Sequence, residues 1–396
     1  MRRNELYPLG FLGLLFVNTL FNQWVVYAHS SGGTGALLLT GFVLQGLFNP
    51  AIGHGSDEVR RRLGARRWLF ALTVPALVLV NAAVWWPGAP VVVAPLYCVL
   101  YSAVMQPYLA LMPSLASDEK TRLRFTLMGA GFALLAAAGA LLLGPWAIRE
   151  HGFVSLAVLG SIALGVALVV PLLVVREGPV DASKAQASRG LGAHLGELLA
   201  VPGVKRFVGA NLLLSAAMMT LVVTSPFVAA ALLHAGHEVT QWLNGALVAG
   251  MLISVALLGA VGKRVEAATL FRLGGLVGVV VLATLGGTTL FGIAPTVVWL
   301  VGFALLGYLA LSTMALPSLI VAQLATRDGH GREGLFFSLN GASVAFGNAL
   351  GAFSASSLVA LSVDPGDPRG VQLAVAAALV MAVGASVLMP WRLRGA

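Results

Sequence analysis

About twelve stretches of some twenty mostly apolar residues, following one another along the chain, decide what this sequence can fold into. One such stretch is enough to carry a helix across the roughly 30 Å hydrocarbon layer of a bilayer. The runs lie near 7–28, 35–54, 67–86, 90–112, 125–147 and 153–175, and then near 206–232, 240–261, 268–288, 294–324, 334–361 and 370–391. They are continuous rather than alternating with period two, which argues against a transmembrane β-barrel. Composition agrees: the chain is 58% hydrophobic and 10% charged, where soluble domains carry about 25% charged residues. So few charges cannot coat a water-soluble globule of 396 residues. The expected fold class is all-α integral membrane, with twelve transmembrane helices.

Arg2 and Arg3 precede the first run, and Val26-Tyr27-Ala28 faintly resembles a cleavage site. The run carries Asn18, Asn22 and Gln23 and is long enough to span, so it is read as a retained helix. A polar segment at 176–205, containing "REGPVDASKAQASRG", is read as a linker. It divides the chain into a six-helix bundle at 1–175 and another at 206–396. The single cysteine, Cys98, rules out an internal disulfide.

The positive charges are sorted by side. If loops alternate across the membrane, all of the 24 Lys and Arg except Arg149 and Arg369 fall on one side, together with both termini. The positive-inside rule makes that side cytoplasmic and places the chain in the cell inner (plasma) membrane. The net charge of +9 therefore reflects topology and needs no nucleic-acid partner. Trp85, Trp86, Trp146, Trp242 and Trp299 fall near the expected outer ends, and Trp68 and Trp391 near inner ends, as interfacial belts require.

The halves also echo one another. "ALMPSLAS" around Pro113 matches "ALPSLIV" around Pro317, and "FTLMGAG" from Phe125 matches "FSLNGAS" from Phe337. Parallel six-helix repeats about an axis normal to the membrane are the architecture of major facilitator transporters.

The loop after the second run, "NPAIGHGSDEVRRRLGARRW" (Asn49 to Trp68), is the densest charge cluster in the chain. It resembles the corresponding loop of the glycoside-pentoside-hexuronide:cation symporters, the melibiose-permease branch of the major facilitator superfamily, at Pro50, Gly53, Asp57, Arg60, Arg62, Gly64 and Arg67. "PYLALMPSLASDEKTR" (Pro107 to Arg122) and "REGLFFSLNGASVAFGNALG" (Arg332 to Gly351) resemble two further segments of the family. The resemblance implies two pseudo-symmetric six-helix bundles and transport by alternating access. Asp57, Arg60, Arg62, Gly64, Arg67, Asp118, Arg122, Arg332 and Glu333 are the expected gating set, with a purely topogenic, solvated loop as the alternative. The second-half counterpart, "GAVGKRVEAATLFR" from Gly259, is degraded, so weaker pairs are expected there.

Departures from the pattern bear on the driving force. Where the family carries acids implicated in binding Na⁺ or H⁺, this chain has Gln45 and Asn49; Gln323 and Ala345 replace a further acid and a lysine. All Lys, Arg, Asp and Glu fall in loops or at run ends, whereas intramembrane ionisable groups are the usual ion sites and proton relays. Coupling to H⁺ or Na⁺ is therefore in doubt, and facilitated diffusion stays open.

What the runs do contain is neutral. Asn18, Asn22, Gln23 and Trp24 lie in the first, Gln45 and Asn49 in the second, Tyr101, Gln106 and Tyr108 in the fourth, Asn211 and Ser215 in the seventh, Asn244 in the eighth, Tyr308 in the tenth and Asn340 in the eleventh. Residues four or seven apart share a helix face. Amides and hydroxyls beside aromatic rings suit a small neutral, sugar-like solute; each taken singly also suits interhelical bonding. Gly347 and Gly351 form a GxxxG pair suited to close helix packing. No Walker loop, metal-ligand spacing or Ser/His/Asp set is present, so neither an enzyme, an ATP-driven pump nor a cofactor is expected. The expected partners are a small-molecule substrate and the lipid bilayer, with the chain a monomer. The rival readings are an exporter or flippase of lipophilic drugs or lipids, and a receptor built on a transporter frame.

Overall fold

A computed structural model describes residues 3–28, 34–86, 90–116, 118–174, 177, 191–234, 237–262, 264–291, 295–328, 332–359, 361–362 and 367–389. Among them there are helices and no strands. A 3₁₀ segment at Arg3–Leu9 leads into α1 (Gly10–Ala28), followed by α2 (Thr34–Leu63), α3 (Arg67–Val84), α4 (Pro90–Leu109), α5 (Met112–Leu115), α6 (Glu119–His151) and α7 (Val154–Val174). A short α8 (Leu191–Ala200) lies in the stretch read as linker. The second half supplies α9 (Val204–Phe227), α10 (His237–Val261), α11 (Ala267–Leu290), α12 (Thr296–Met314), α13 (Leu316–Asp328), α14 (Glu333–Val359) and α15 (Arg369–Leu388). Among the described residues each apolar run is helical over most of its length, and nine helices are long and apolar enough to cross a membrane.

Among the described residues two of the runs are interrupted by a turn, and at equivalent places. The fourth splits into α4 and α5 just before Pro113, and the tenth into α12 and α13 just before Pro317. Proline lacks an N–H and its ring crowds the carbonyl four residues back, so the ladder interrupts there. The sequence echo around these prolines is thus an echo of shape. Neighbour relations repeat as well: α2 packs on α4 as α10 does on α12, α1 on α7 as α9 does on α15, and α3 on both α4 and α7 as α11 does on α12 and α15.

The chain forms two compact units, Met1–Leu199 with Ser318–Ala342, and Ala200–Pro317 with Ser343–Ala396. The first unit thus takes in α13 from Ser318 and the opening turns of α14.

Within the second unit glycine sets the spacing. A Cβ on Gly347 or Gly351 would run into the backbone carbonyls of Leu212 and Ala216 on α9, so the GxxxG pair serves close packing. Hydroxyls there fold back on their own helices: Thr224 donates to the Thr220 carbonyl (2.6 Å), Ser254 to Gly250 (2.7 Å) and Ser312 to Tyr308 (2.7 Å). That satisfies them without a partner helix.

Candidate functional site

The polar end of α2 leads into a tight turn. Gly64 adopts φ +76°, a left-handed conformation that costs a residue with a side chain about 1 kcal/mol or more. The chain there reverses, and Arg66 returns to Asp57, nine residues earlier. The Arg66 guanidinium is completely buried. Its Nη2 donates to Asp57 Oδ1 (2.7 Å), its Nη1 to Glu177 Oε1 (2.7 Å) and its Nε to Ser56 Oγ (3.1 Å). Its backbone N–H donates to Glu177 Oε2 (2.5 Å), and Glu333 lies 3.4 Å away. Burial works against this charge, but Asp57, Glu177 and Glu333 outweigh it and hold the guanidinium above its ordinary value.

Asp57 has a second task. Besides Arg66 it accepts the backbone N–H of Gly334 (2.9 Å) and of Leu335 (3.0 Å) at the start of α14. First-turn N–H groups have no partner inside their own helix, and the helix dipole favours an anion there. Asp57 of α2 therefore caps α14 across 277 residues of sequence. The approach depends on two glycines: a Cβ on Gly334 would stand 2.7 Å from Asp57 Oδ1, and one on Gly53 would strike the Gly334 carbonyl and Ser338 Oγ. Burial pushes the Asp57 carboxyl up, with Arg66 and the Gly334 N–H pulling the other way. Arg60 completes the cluster through Glu177 (3.3 Å) and Glu333 (3.1 Å).

The other members of the expected gating set divide. Arg332 pairs with Glu197 of α8 at 2.6 Å, beside the cluster in sequence. Asp118 instead caps its own helix, accepting from Thr121 N (2.8 Å), and Arg122 donates to the Ala116 carbonyl (2.9 Å). Arg62 is exposed and pairs with Glu58, as does Arg61; the hydrogen bond from Arg61 is the main cause holding the Glu58 carboxyl down at about 2. Arg67 is exposed, its guanidinium 5.0 Å from the Trp68 ring centre. The family pattern matched Arg67, yet it is the neighbouring Arg66 that occupies the centre. Arg66, Ser56, Glu177 and Glu197 were missed; burial of one arginine among five in a loop leaves no trace in sequence.

The neutral residues also sort into distinct environments. Asn49 is fully buried with neither amide atom bonded, and Asn22 Oδ1, Ser102 Oγ, Gln106 Oε1 and Ser338 Oγ in the same unit are buried without partners. Gln106 presses on Gly341 of α14, and Ser338 on Gly53 of α2. Asn49 stands one turn before Gly53, so α2, α4 and α14 bring these groups toward one crossing. Asn18 and Gln45 are half-buried in α1 and α2. The Gln23 and Trp24 side chains lie outside the described residues.

The aligned tyrosines of α4 do not share a role. Tyr108 donates its hydroxyl to the Tyr7 carbonyl and stacks on that ring at 4.9 Å, which ties it to the 3₁₀ segment. Tyr101 stacks 6.1 Å from Tyr97, which itself lies 4.2 Å from Phe21. In the second unit Asn211 donates to Ser343 (2.8 Å) and Tyr308 to the Leu270 carbonyl (3.1 Å). Ser215 Oγ is buried without a partner, Asn244 is half-buried, and Asn340, in the first unit, is buried. Two interfacial expectations need correcting: Trp85 and Trp299 are 2% and 0% exposed and point inward, while Trp68, Trp86, Trp146 and Trp242 are outward. Run ends fix the depth of a tryptophan but not its face. Trp391 lies outside the described residues.

No curated protein matches the sequence. Solved structures of similar fold include a bacterial homologue of the iron transporter ferroportin in an outward-facing state, at TM-score 0.74 and 16% identity over 98% of each chain. The E. coli fucose:proton symporter FucP matches at TM-score 0.65 and 13% identity, again over 98% of each chain. At such identities the likeness is one of fold: the all-helical, doubled architecture of the major facilitator superfamily. The MFS/sugar transport protein family matches residues 26–389, the greater part of the sequence, and the chain belongs to that family.

Proposed function

We propose that the protein is a secondary transporter of a small neutral, sugar-like solute, working by alternating access. The observation that carries this reading is the set of uncharged, unbonded polar atoms inside the first unit, Asn49 above all. A buried amide without a partner costs about 1–3 kcal/mol by mutational measures. Groups of that kind suit hydroxyls that arrive and leave. Among the described residues no three His, Cys, Asp or Glu gather as metal ligands.

In this reading the Asp57–Arg66–Glu177–Glu333 cluster is a latch at the cytoplasmic end, with the termini on the same side. It joins α2 to the start of α14, which belong to opposite sequence halves, and opening that end requires separating them. Charge cancellation makes the latch reversible: ions that separate into cytoplasmic water regain hydration, offsetting much of what pairing gave. With Gln45 and Asn49 in place of acids, the transporter works without cation coupling, by facilitated diffusion.

The test is uptake into proteoliposomes across a panel of sugars, lysolipids, lipophilic drugs and Fe²⁺, with and without imposed H⁺ and Na⁺ gradients. Equilibration of a sugar, lost on Asn49→Leu, is the expected result. Gradient-driven accumulation overturns the uncoupled mechanism, and movement of lysolipid or drug alone replaces the sugar reading with that of an exporter or flippase.

A further inference from the structure

The last turn of α2, the turn after it and the first residue of α3 hold five arginines, and the structure gives four of them carboxylates. Arg60 and Arg66 face Glu177, Glu333 and Asp57, and Arg61 and Arg62 share Glu58. Among the described residues Arg67 is the one of the five with no carboxylate in ion-pair reach. Its guanidinium instead sits 5.0 Å from the centre of the Trp68 ring, and that ring is 52% exposed.

Below this cation runs an apolar track. Trp68 and Leu72 are one turn apart on α3 and Leu79 two turns further, and the leucines are 74% and 71% exposed, with Pro75 exposed between them. Leu63, at the end of α2, is 58% exposed beside the same turn. A guanidinium with no carboxylate partner among the described residues, an exposed indole next to it, and three turns of apolar surface leading away match a phospholipid in charge, polarity and length. A free anion would use the guanidinium and leave the track unexplained.

We propose that Arg67, Trp68 and the outer face of α3 form a binding site for an anionic phospholipid of the adjacent leaflet. The guanidinium takes the headgroup phosphate in bidentate fashion, the indole sits at headgroup depth, and an acyl chain lies along Leu72, Pro75 and Leu79. Electrostatic attraction at membrane surfaces selects anionic over zwitterionic headgroups. Arg66, the next residue inward, is the centre of the charge cluster, so an occupied site braces the turn that delivers it.

Native mass spectrometry of the full-length protein, released from micelles doped with phosphatidylglycerol or phosphatidylcholine, tests the site. Wild type is expected to retain phosphatidylglycerol preferentially, Arg67→Gln to lower retention about fivefold or more, Trp68→Ala to lower it less, and Arg67→Lys to keep most of it. Unfolding temperatures in phosphatidylcholine alone check that the variants are folded. The proposal fails if Arg67→Gln retains the lipid like wild type, or if the exposed Arg62→Gln loses as much, which would mean diffuse charge attraction. It fails equally if millimolar inorganic phosphate displaces the lipid, which would mark a free-anion site.

Discussion

The α2–α3 and α10–α11 loops occupy the same place in the two halves, yet only the first is an electrostatic knot. At the first, Arg66 is fully buried among three carboxylates and Asp57 caps a distant helix. At the second, Arg264 is exposed, Glu266 precedes α11 without a side-chain capping bond, and among the described residues neither takes part in an ion pair; Lys263 lies outside them. The difference does not lie in the supply of arginines. Two acids that neutralise the first cluster, Glu177 and Glu333, come from other parts of the chain, and among the described residues none pairs with Arg264. A basic segment becomes such a knot where remote carboxylates and a free helix N-terminus converge on it.

The comparison can be broken most sharply at Arg66. Arg66→Ala leaves three carboxylates facing one another without their central cation, and breaking a buried pair in this way costs about 3–5 kcal/mol. Thermal unfolding in detergent should show a marked loss, and single-cysteine labelling at Ser338→Cys should rise as the cluster opens. Wild-type labelling in the Arg66→Ala background would deny the cluster any latching role. Arg66→Lys should recover part of the loss, since one ammonium cannot serve Asp57, Glu177 and Ser56 with the guanidinium's geometry.

Next in size is the crossing itself. Gly334→Ala puts a methyl 2.7 Å from Asp57 Oδ1 and 2.8 Å from the Gly53 carbonyl, and overpacking of this kind costs about 1–3 kcal/mol. A double mutant with Asp57→Ala should be less than additive, because both changes remove the same cap; full additivity would separate the glycine from the latch. Glu197→Gln, which removes one ion pair of Arg332 at a carboxylate that is a third exposed, should cost about 1 kcal/mol.

Smallest are the controls. Glu58→Gln and Arg264→Gln should leave unfolding and transport near wild type. The Glu58 carboxyl is held down at about 2 against an ordinary 4.5. Its contribution is therefore present above about pH 4.5 and fades as pH falls toward 2, so its pairs are intact at neutral pH. As they are exposed, a large effect of Glu58→Gln at pH 7 would show that the latch extends beyond the buried cluster.

The sequence reached far into the fold because a bilayer leaves few choices. An apolar run in hydrocarbon must satisfy its backbone internally, so helix follows from composition alone. The echoes around Pro113 and Pro317 reported a repeat, but not that both runs break there: Pro50, Pro75, Pro95 and Pro107 sit inside continuous helices, so a proline alone does not mark a break. Glycine packing at Gly347 and Gly351 was legible because a missing Cβ has one main use on an apolar helix.

Burial and partnership were not legible in this way. Five arginines within eight residues look alike in one dimension. That Arg66 is the one sequestered and Arg67 the one left exposed depends on carboxylates more than a hundred residues away and on the direction the chain leaves Gly64. Tyr101 and Tyr108 make the same point, sharing a helix face while only Tyr108 meets the Tyr7 carbonyl. The chain by itself determined that it spans a membrane as a doubled bundle of helices, because solvent quality acts on every segment independently. The tertiary structure alone decided which charges cancel and which amides stay unbonded, because pairing acts between segments that the sequence keeps apart.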